Sequence, residues 1–534
     1  ISGSDLKLTL EDAKAFTQGY LSDSDIPTLL KMSNGAYELF IEKINEYLSL
    51  PLPTRPSPEG PRLAADHEVE VEPDLLLKVL IKQQKWLEAL ELACSLLPER
   101  VPSVLDEAGH VYHEAGLHKR LWELLNELPE VIKKHQYVLY WRLNAGWWQG
   151  LAEDVRDNVE EHLAQYDAPD LRALYAGTLA PAETAEKEAK RAYKDKQTAL
   201  TTFQYGRLHS DPLQGVEILR ESVKIAERTR RANHITRNAS ELARQLLDVG
   251  HYKESVYWGE WTLNKFDEFE LVNSQRKLIL TNDWAYSSIL IGKTTGLVQI
   301  LEEAEVQFEN ILPHIIRNLT ETVGDYYLSQ ENPSEALECY MKNLESEHRN
   351  EAGYNALSVV QAYSHLNEPT KALEYATRAY MLVKGEQWML RFTSELAYGI
   401  ALTLIEPRVG LNQLQYVQQE TLEHSMPAYS QAQLALYMAW AYLQLENKKQ
   451  AAETIKANHL VLKELSETGL TLLSGPKYLF KEVWELIGID EKPVQLELRF
   501  LGQQEVRYQG KTLRLSPQMQ EMLALLALNP SGLS

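Results

Sequence analysis

Between Asp74 and Gly488 the chain repeats one helical pattern at a spacing of about forty residues, and few folds accommodate that. The clearest copy runs Thr320, Val323-Gly324, Tyr327, Ala336 and Tyr340. The next has Val359, Tyr363, Ala372, Ala376 and Ala379, and a later one Ala439, Tyr442, Ala451 and Ile455. Earlier copies carry Leu242-Ala243, Leu246 and Ser255, and, first of all, Leu76, Leu80, Ala89 and Ala93. Ala336 to Ala372 is 36 residues, while Ser255 to Ala336 is 81 and Ala372 to Ala451 is 79, each of these two repeats. Small residues such as Gly324 and Ala336 let two helices of a hairpin approach closely, and the large residues fill the seam to the next hairpin. The turns are punctuated by Gly250-His251-Tyr252, Glu331-Asn332-Pro333 and Asn367-Glu368-Pro369. Roughly nine or ten such hairpins fit, and none buries its apolar face alone, so they must stack.

The large, Gly, Tyr, Ala, aromatic spacing resembles the tetratricopeptide repeat, in a degenerate and slightly long form. The expected fold class is therefore all-α: a tetratricopeptide-like superhelix over 74–490 whose concave face holds a partner rather than performs chemistry.

Composition narrows the function. Of 534 residues, 44 % are hydrophobic, enough for a folded core, yet no run approaches the roughly 18 apolar residues of a membrane span. The start, ISGSDLKLTL, has no basic segment before an apolar run and no initiator Met, so no signal peptide is expected and an excised fragment is. Cys94 and Cys339 are the two cysteines, too few for a disulfide framework or a zinc site, which suits a reducing cytoplasm. The net charge is −22, which repels nucleic acid on average. Residues 494–534 depart from this, with four Lys/Arg against three acids, so the acidity belongs to the helical body.

Both ends break the repeat. Residues 5–50 read as three helices, with Thr9 as a helix cap, and 51–73 as a Pro-rich linker. From Val494 three short alternating runs follow (Leu496, Leu498, Phe500; Val506, Tyr508; Leu513, Leu515), separated at Gly502 and Gly510, and then a Leu-rich helix from Met519 to Leu528. Period-2 runs ending in a helix make a small β-then-α unit.

That last segment resembles the start of the winged-helix domain of bacterial antibiotic-regulatory and response-regulator transcriptional activators. The matching residues are Leu498, Phe500-Leu501-Gly502, Val506, Gly510, Leu513, Leu515, Leu523 to Leu528, Pro530 and Gly532-Leu533-Ser534. The resemblance implies a sheet, a first helix and then a helix that reads the major groove, the last lying past Ser534. Residues 7–50, through Leu8-Thr9, Leu21-Ser22 and Asn34-Gly35-Ala36-Tyr37, resemble the helical end of the nucleotide-binding module in large signal-transduction ATPases of the maltose-regulon-activator class. In that family the tetratricopeptide array is the effector sensor. The resemblance implies a cytoplasmic transcription regulator whose ATP site belongs to a module outside this chain, with no catalytic residue, cofactor or metal of its own.

Local motifs carry no chemistry. Gly292-Lys293-Thr294 ends like a phosphate loop, but Ser287 stands where the motif needs Gly, so Gly292 reads as a helix C-cap. His110, His113 and His118 lack metalloprotease spacing. The eleven Trp residues, Trp147-Trp148, Trp258, Trp261 and Trp284 among them, sit at core spacing. The densest basic stretch is Arg228, Arg230, Arg231, His234 and Arg237. It reads either as a solvated face paired with Glu221, Glu227 and Glu241 or as a contact for an anionic ligand. If helix A of each repeat lines the groove, Arg230, Arg237, Asn238, Arg276, Asn318 and Asn355 form a polar binding surface for a peptide, small molecule or protein. The expected function is a sensor that couples such an effector to DNA binding through a C-terminal reader, with no membrane partner and with homo-oligomerisation left open. The alternatives are a protein–protein scaffold, its terminal β-unit a small binding domain, and an intracellular peptide receptor without DNA binding.

Overall fold

The computed structural model describes residues 73–488, apart from 180, 272–274, 308–312, 345–348, 384–387 and 422–425. It also describes 496–499, 505–508, 511–513 and a few positions between 516 and 523. The helices expected over 5–50 and the linker up to Glu72 lie outside the described residues, and Pro73 opens the first described helix. The array divides into two compact units, with the boundary between Leu208 and His209.

Unit 1 is built from α1 Pro73–Lys82, α2 Trp86–Leu96, α3 Val101–Glu114, α4 His118–Asn126, α5 Glu130–Lys133 and α6 Gln136–Gln149. It continues through α7 Glu153–Gln165, α8 Pro169–Ala176, α9 Ala182–Asp195 and α10 Ala199–Arg207. Leu80, Ala89 and Ala93, three of the sequence-pattern positions, are buried with Leu105, Tyr112 and Leu121 in one core. Gly109 on α3 admits the Trp141 ring so closely that a Cβ there would lie 2.3 Å from it. Leu139, Leu143, Val155, Val159 and Leu171 form a second core.

Unit 2 opens with α11 Pro212–Thr229 and continues as α12 Ala232–Asp248, α13 Tyr252–Glu268, α14 Gln275–Leu290, α15 Leu297–Gln307, α16 Pro313–Ser329 and α17 Pro333–Leu344. Then come α18 Arg349–His365, α19 Pro369–Leu382, α20 Trp388–Ile405, α21 Pro407–Glu420, α22 Ala428–Gln444 and α23 Lys448–Ala457. From α12 on these form antiparallel hairpins, helix A (α12, α14, α16, α18, α20, α22) followed by helix B. This is a tetratricopeptide-like helical solenoid, as the repeat predicts. Gly324 on α16 faces Tyr340 on α17, where a Cβ would stand 2.5 Å from the ring, and Ala336, Ala372 and Ala451 are fully buried. The small residues therefore set the close approach within each hairpin.

The hairpin turns share a backbone rule that residue type hides. Helices α12, α14, α16, α18 and α22 each end in a residue with positive φ: Gly250, Gly292, Glu331, Asn367 and Glu446. The residue after each donates its N–H to a carbonyl five back, as in Asn332 to Tyr327 (2.9 Å), Glu368 to Tyr363 (2.9 Å) and Asn447 to Tyr442 (2.8 Å). This left-handed cap closes the orphan carbonyls of helix A, and after Gly250, Glu331, Asn367 and Glu446 helix B starts two residues later. Glycine adopts that conformation without a Cβ clash, whereas Glu331 and Glu446 are exposed and hold it under strain. Glu331→Gly and Glu446→Gly should each raise stability by about 0.5 kcal/mol, the relieved strain being partly offset by the added freedom of the unfolded chain. Urea midpoints of the 534-residue chain would show it, and a lowered midpoint would mean that the glutamates carry no such strain.

The last stretch turns back on the array. After α24 His459–Leu462 the short α25 Glu467–Leu473 lies across α14 and α16, and α26 Lys477–Ile487 packs on α22 and α23. Helix α22 also returns to α12, with Ala428 close enough that a Cβ on Gly250 would be 3.0 Å from it. Beyond α26 the three alternating runs form an antiparallel sheet, β1 Leu496–Arg499, β2 Glu505–Tyr508 and β3 Lys511–Leu513, in the order β1-β2-β3. Leu498 pairs with Val506, and Val506 with Leu513, so the apolar positions fall in one cross-strand row. Phe500, Gly502, Gly510 and Leu515 lie outside the described residues, as does most of the expected helix from Met519 to Leu528.

Candidate functional site

The inner faces of the A helices of unit 2 surround a cavity of about 300 Å³. Its lining follows from the turn geometry. Counted back from the left-handed residue, α14 contributes Asn282, Asp283 and Tyr286, ten, nine and six positions earlier. Helix α16 contributes Glu321, Thr322 and Asp325 at the same three offsets, and α18 contributes Leu357, Ser358 and Gln361. Positions three and four apart share one helix face, so each hairpin presents the same stripe to the cavity. Phe392 and Thr393 of α20, and Tyr429, Ser430 and Gln433 of α22, line further wall, and Leu472 and Leu473 of α25 complete it.

Among the described residues three carboxylates face this space, and no Lys or Arg does. Burial pushes Asp283 up to about 7; Arg244 opposes the shift, while Asp248 and Glu241 add to it. Burial, then the neighbouring Glu321, hold Asp325 well above the usual carboxylate range, although the Tyr340 hydroxyl donates to it at 2.7 Å. Glu321 is raised by burial too, against the Ser358 hydroxyl, which donates to it at 2.6 Å. Arg244 cannot serve as the cavity's cation, because its guanidinium is held by Glu241 (2.5 Å) and Asp248 (2.6 Å). The remaining wall is aromatic and amide. Tyr286 and Tyr429 meet edge to face at 5.3 Å, and the Thr322 hydroxyl donates to Asn282 at 2.8 Å.

The end of the array walls part of the cavity. Ser466 donates both its backbone N–H (2.9 Å) and its hydroxyl (3.1 Å) to the Leu290 carbonyl at the end of α14. Gln361 donates to the Leu473 carbonyl at 3.2 Å while accepting from the Tyr437 hydroxyl at 2.6 Å. His365 hydrogen-bonds the Ser474 carbonyl at 3.2 Å, and burial pushes its imidazole down to about 4, so the ring is neutral at physiological pH. Trp484 of α26 donates to the Ser474 hydroxyl, also at 3.2 Å. One connected set of polar contacts thus runs from the cavity wall through α25 to α26.

Of the residues expected in a groove, Asn318 lines the cavity, thirteen positions before its turn and exposed at the mouth. Arg237 takes the equivalent place on α12, half-buried, and its Nε donates to Asn238 at 2.9 Å. Asn238 and Asn355 come one position later, about 100° further round the helix, and both are buried outside the cavity lining. Asn238 donates to the Ser222 carbonyl of α11 at 3.1 Å and so joins two helices. Arg230 is the exposed left-handed cap of α11, and Arg276 lies half-buried near the start of α14. Gly292 caps α14 with φ 82° beside Ser466, as a helix end rather than a phosphate loop. In unit 1, His118 stacks on Trp148 at 4.9 Å and meets His113 edge to face at the same distance. Among the described residues no three His, Cys, Asp or Glu side chains gather as a metal site. The carboxylates Asp283, Glu321 and Asp325 were not singled out from sequence; the signal that marks them is their offset from the turn residues.

No protein-family model matches the chain, and no curated protein sequence does. Among solved structures the chain is similar to a Rap protein complexed with competence and sporulation factor, at 14 % identity over 66 % of this chain and 99 % of that one, with a TM-score of 0.47. It is also similar to the apo form of the quorum sensor NprR from B. thuringiensis, at 11 % identity over 60 % and 96 %, TM-score 0.44. A third is the yeast protein Tom70, at 13 % identity over 78 % and 96 %, TM-score 0.36. Likeness at this level says nothing of what this chain binds.

Proposed function

We propose that the chain is the sensing part of a transcription regulator, in which the cavity of unit 2 receives an effector and the segment after α26 begins a winged-helix DNA reader. The observation that carries the sensor reading is the cavity itself, with carboxylates, amides and tyrosines brought inward by the A helices of successive repeats. Concave, mixed-polarity space of this size is where ligands bind in helical arrays. The α25 segment forms part of the cavity wall and leads directly into α26, so occupancy and the position of the C-terminal segment are mechanically joined. Coupling of this kind requires two states that the effector tells apart. The reader half rests on the resemblance of 496–534, on the three antiparallel strands found there and on the shift of charge in that segment.

Fluorescence anisotropy with the full-length protein on fragments of its own promoter region tests the whole reading. Salt-sensitive, sequence-specific binding that changes with effector supports it. Absence of specific binding at any salt removes the DNA half and leaves the receptor without DNA binding, which the charge of −22 favours. The 534-residue chain alone should bind DNA weakly, since its net charge of −22 repels the phosphate backbone.

A further inference from the structure

We infer that the unit 2 cavity takes an organic cation, an alkylammonium or guanidinium group, bound between the carboxylates of Asp283, Glu321 and Asp325 and oriented by Ser430 and Gln433. This rests on the reading of the cavity as an effector site and adds the chemistry of the effector.

The second pair of residues points to a ligand independently of the acids. Ser430 and Gln433 stand one turn apart on α22, each only 4 % exposed, and both border the cavity. Among the described residues neither side chain has a hydrogen-bond partner, although buried hydroxyls and amides are almost always satisfied. A hydroxyl and an amide carbonyl turned into such a space accept N–H donors. On the facing side Asp283 comes from α14, and Glu321 and Asp325 come from the next helix A, α16. Among the described residues no Lys or Arg lines the cavity, and Arg244, the cation that acts on Asp283, is already held by Glu241 and Asp248, so charge on these acids is poorly compensated and costly.

The spacing decides between kinds of cation. The three carboxylates do not converge into a metal-ligand set. Glu321 and Asp325 stand one turn apart on α16 and Asp283 on α14, beside a space that would hold roughly ten waters, which suits an extended group with several N–H donors. Tyr286 and Tyr429 offer ring faces and edges beside it, and an ammonium or guanidinium over an aromatic face is further stabilised. An anionic ligand would meet repulsion from all three acids.

Two sources of this chemistry exist, a free polyamine and a basic side chain on a peptide. Calorimetry on the 534-residue chain separates them, with spermidine in one arm and N-acetyl-Gly-Arg-Gly-amide in the other, against maltose as the neutral probe and glutamate as the anion. We expect one of the two cations to bind and to release protons at pH 7, the tighter one naming the source. Asp283→Asn, Glu321→Gln and Gln433→Leu should each weaken it about tenfold or more, while Glu453→Gln on the exposed face of α23 leaves it unchanged. Near-UV circular dichroism confirms that each variant is folded. Maltose bound in a Gln433-dependent way, with neither cation bound, overturns the cation and keeps the receptor. Cation binding that all four variants leave alike is surface counterion association and overturns the inference. If none of the four probes binds, the inference falls, and the anisotropy experiment above decides the receptor reading separately.

Discussion

Asp283→Asn should stabilise the chain by up to about 4 kcal/mol at pH 8 and by less than about 1 kcal/mol at pH 4. The carboxyl of Asp283 is pushed up from 3.8 to about 7, chiefly by burial. A folded-state value above the unfolded one means that the native protein holds its proton more tightly than the unfolded chain. The stability this gives is complete below about 3.8 and is lost as pH rises through about 7. An asparagine stays neutral throughout and does not incur that loss. The size is an upper bound, because interiors relax around charge and Arg244 lies close by. Denaturant titrations of both proteins at pH 4, 6 and 8 give the difference curve, in which the general acid sensitivity of so acidic a chain cancels. A difference that stays flat with pH would mean that Asp283 is solvated in the folded protein. The same change removes a carboxylate from the cation site, so one substitution should raise stability and lower affinity together. Trade-offs of that kind are common where a binding site is kept at the expense of the fold.

How much of this was legible in the sequence depends on which period was read. The packing of helix A on helix B was, because it depends on residue size: Gly324 has to be small to meet Tyr340, and Ala336, Ala372 and Ala451 have to be small to be buried at the hairpin contact. The three-stranded sheet was as well, since Leu498, Val506 and Leu513 alternate with polar neighbours and fall in register. The inward face of helix A was not, because it depends on rotation, and one residue turns a side chain by about 100°. Asn318 faces the cavity, while Asn238 and Asn355, chosen on the same grounds, sit one position further round. The rotation is fixed by the left-handed caps, and their residues are Gly, Glu and Asn, with no shared letter. The acids were hidden for a different reason. In a chain with 76 Asp and Glu, three that point inward carry no local mark. The passage of α25 across α14 and α16 was also invisible, because Ser466 and Leu290 are 176 residues apart and their contact is backbone to side chain and backbone.

That crossing makes Gly469 the second position of large effect. A Cβ there would stand 2.3 Å from the Leu290 carbonyl oxygen and 2.9 Å from its carbon, so Gly469→Ala meets backbone that no side-chain rotation can clear. Either α25 lifts or the end of α14 moves, and we expect a loss of about 3 kcal/mol, the upper part of the usual range for overpacking. Ser466→Ala is the milder comparison. It removes the hydroxyl that caps α25 at the Gly469 N–H (3.2 Å) and bonds the Leu290 carbonyl, and should cost about 1 kcal/mol. Hydrogen exchange read by mass spectrometry places the damage. Amides of 466–474 should lose protection in both variants, most in Gly469→Ala, while α19 and α21, which do not form the bed on which α25 lies, keep theirs. Unchanged stability and protection in Gly469→Ala would show that α25 rests loosely on the array. Because Leu472 and Leu473 wall the cavity and Ser474 hydrogen-bonds Trp484 of α26, lifting α25 opens the effector space and frees α26 in one movement. Gly469→Ala should therefore break the link between effector and C-terminal segment even where the acids of the cavity are intact, an effect that Asp283→Asn, which leaves the α25 crossing in place, should not reproduce.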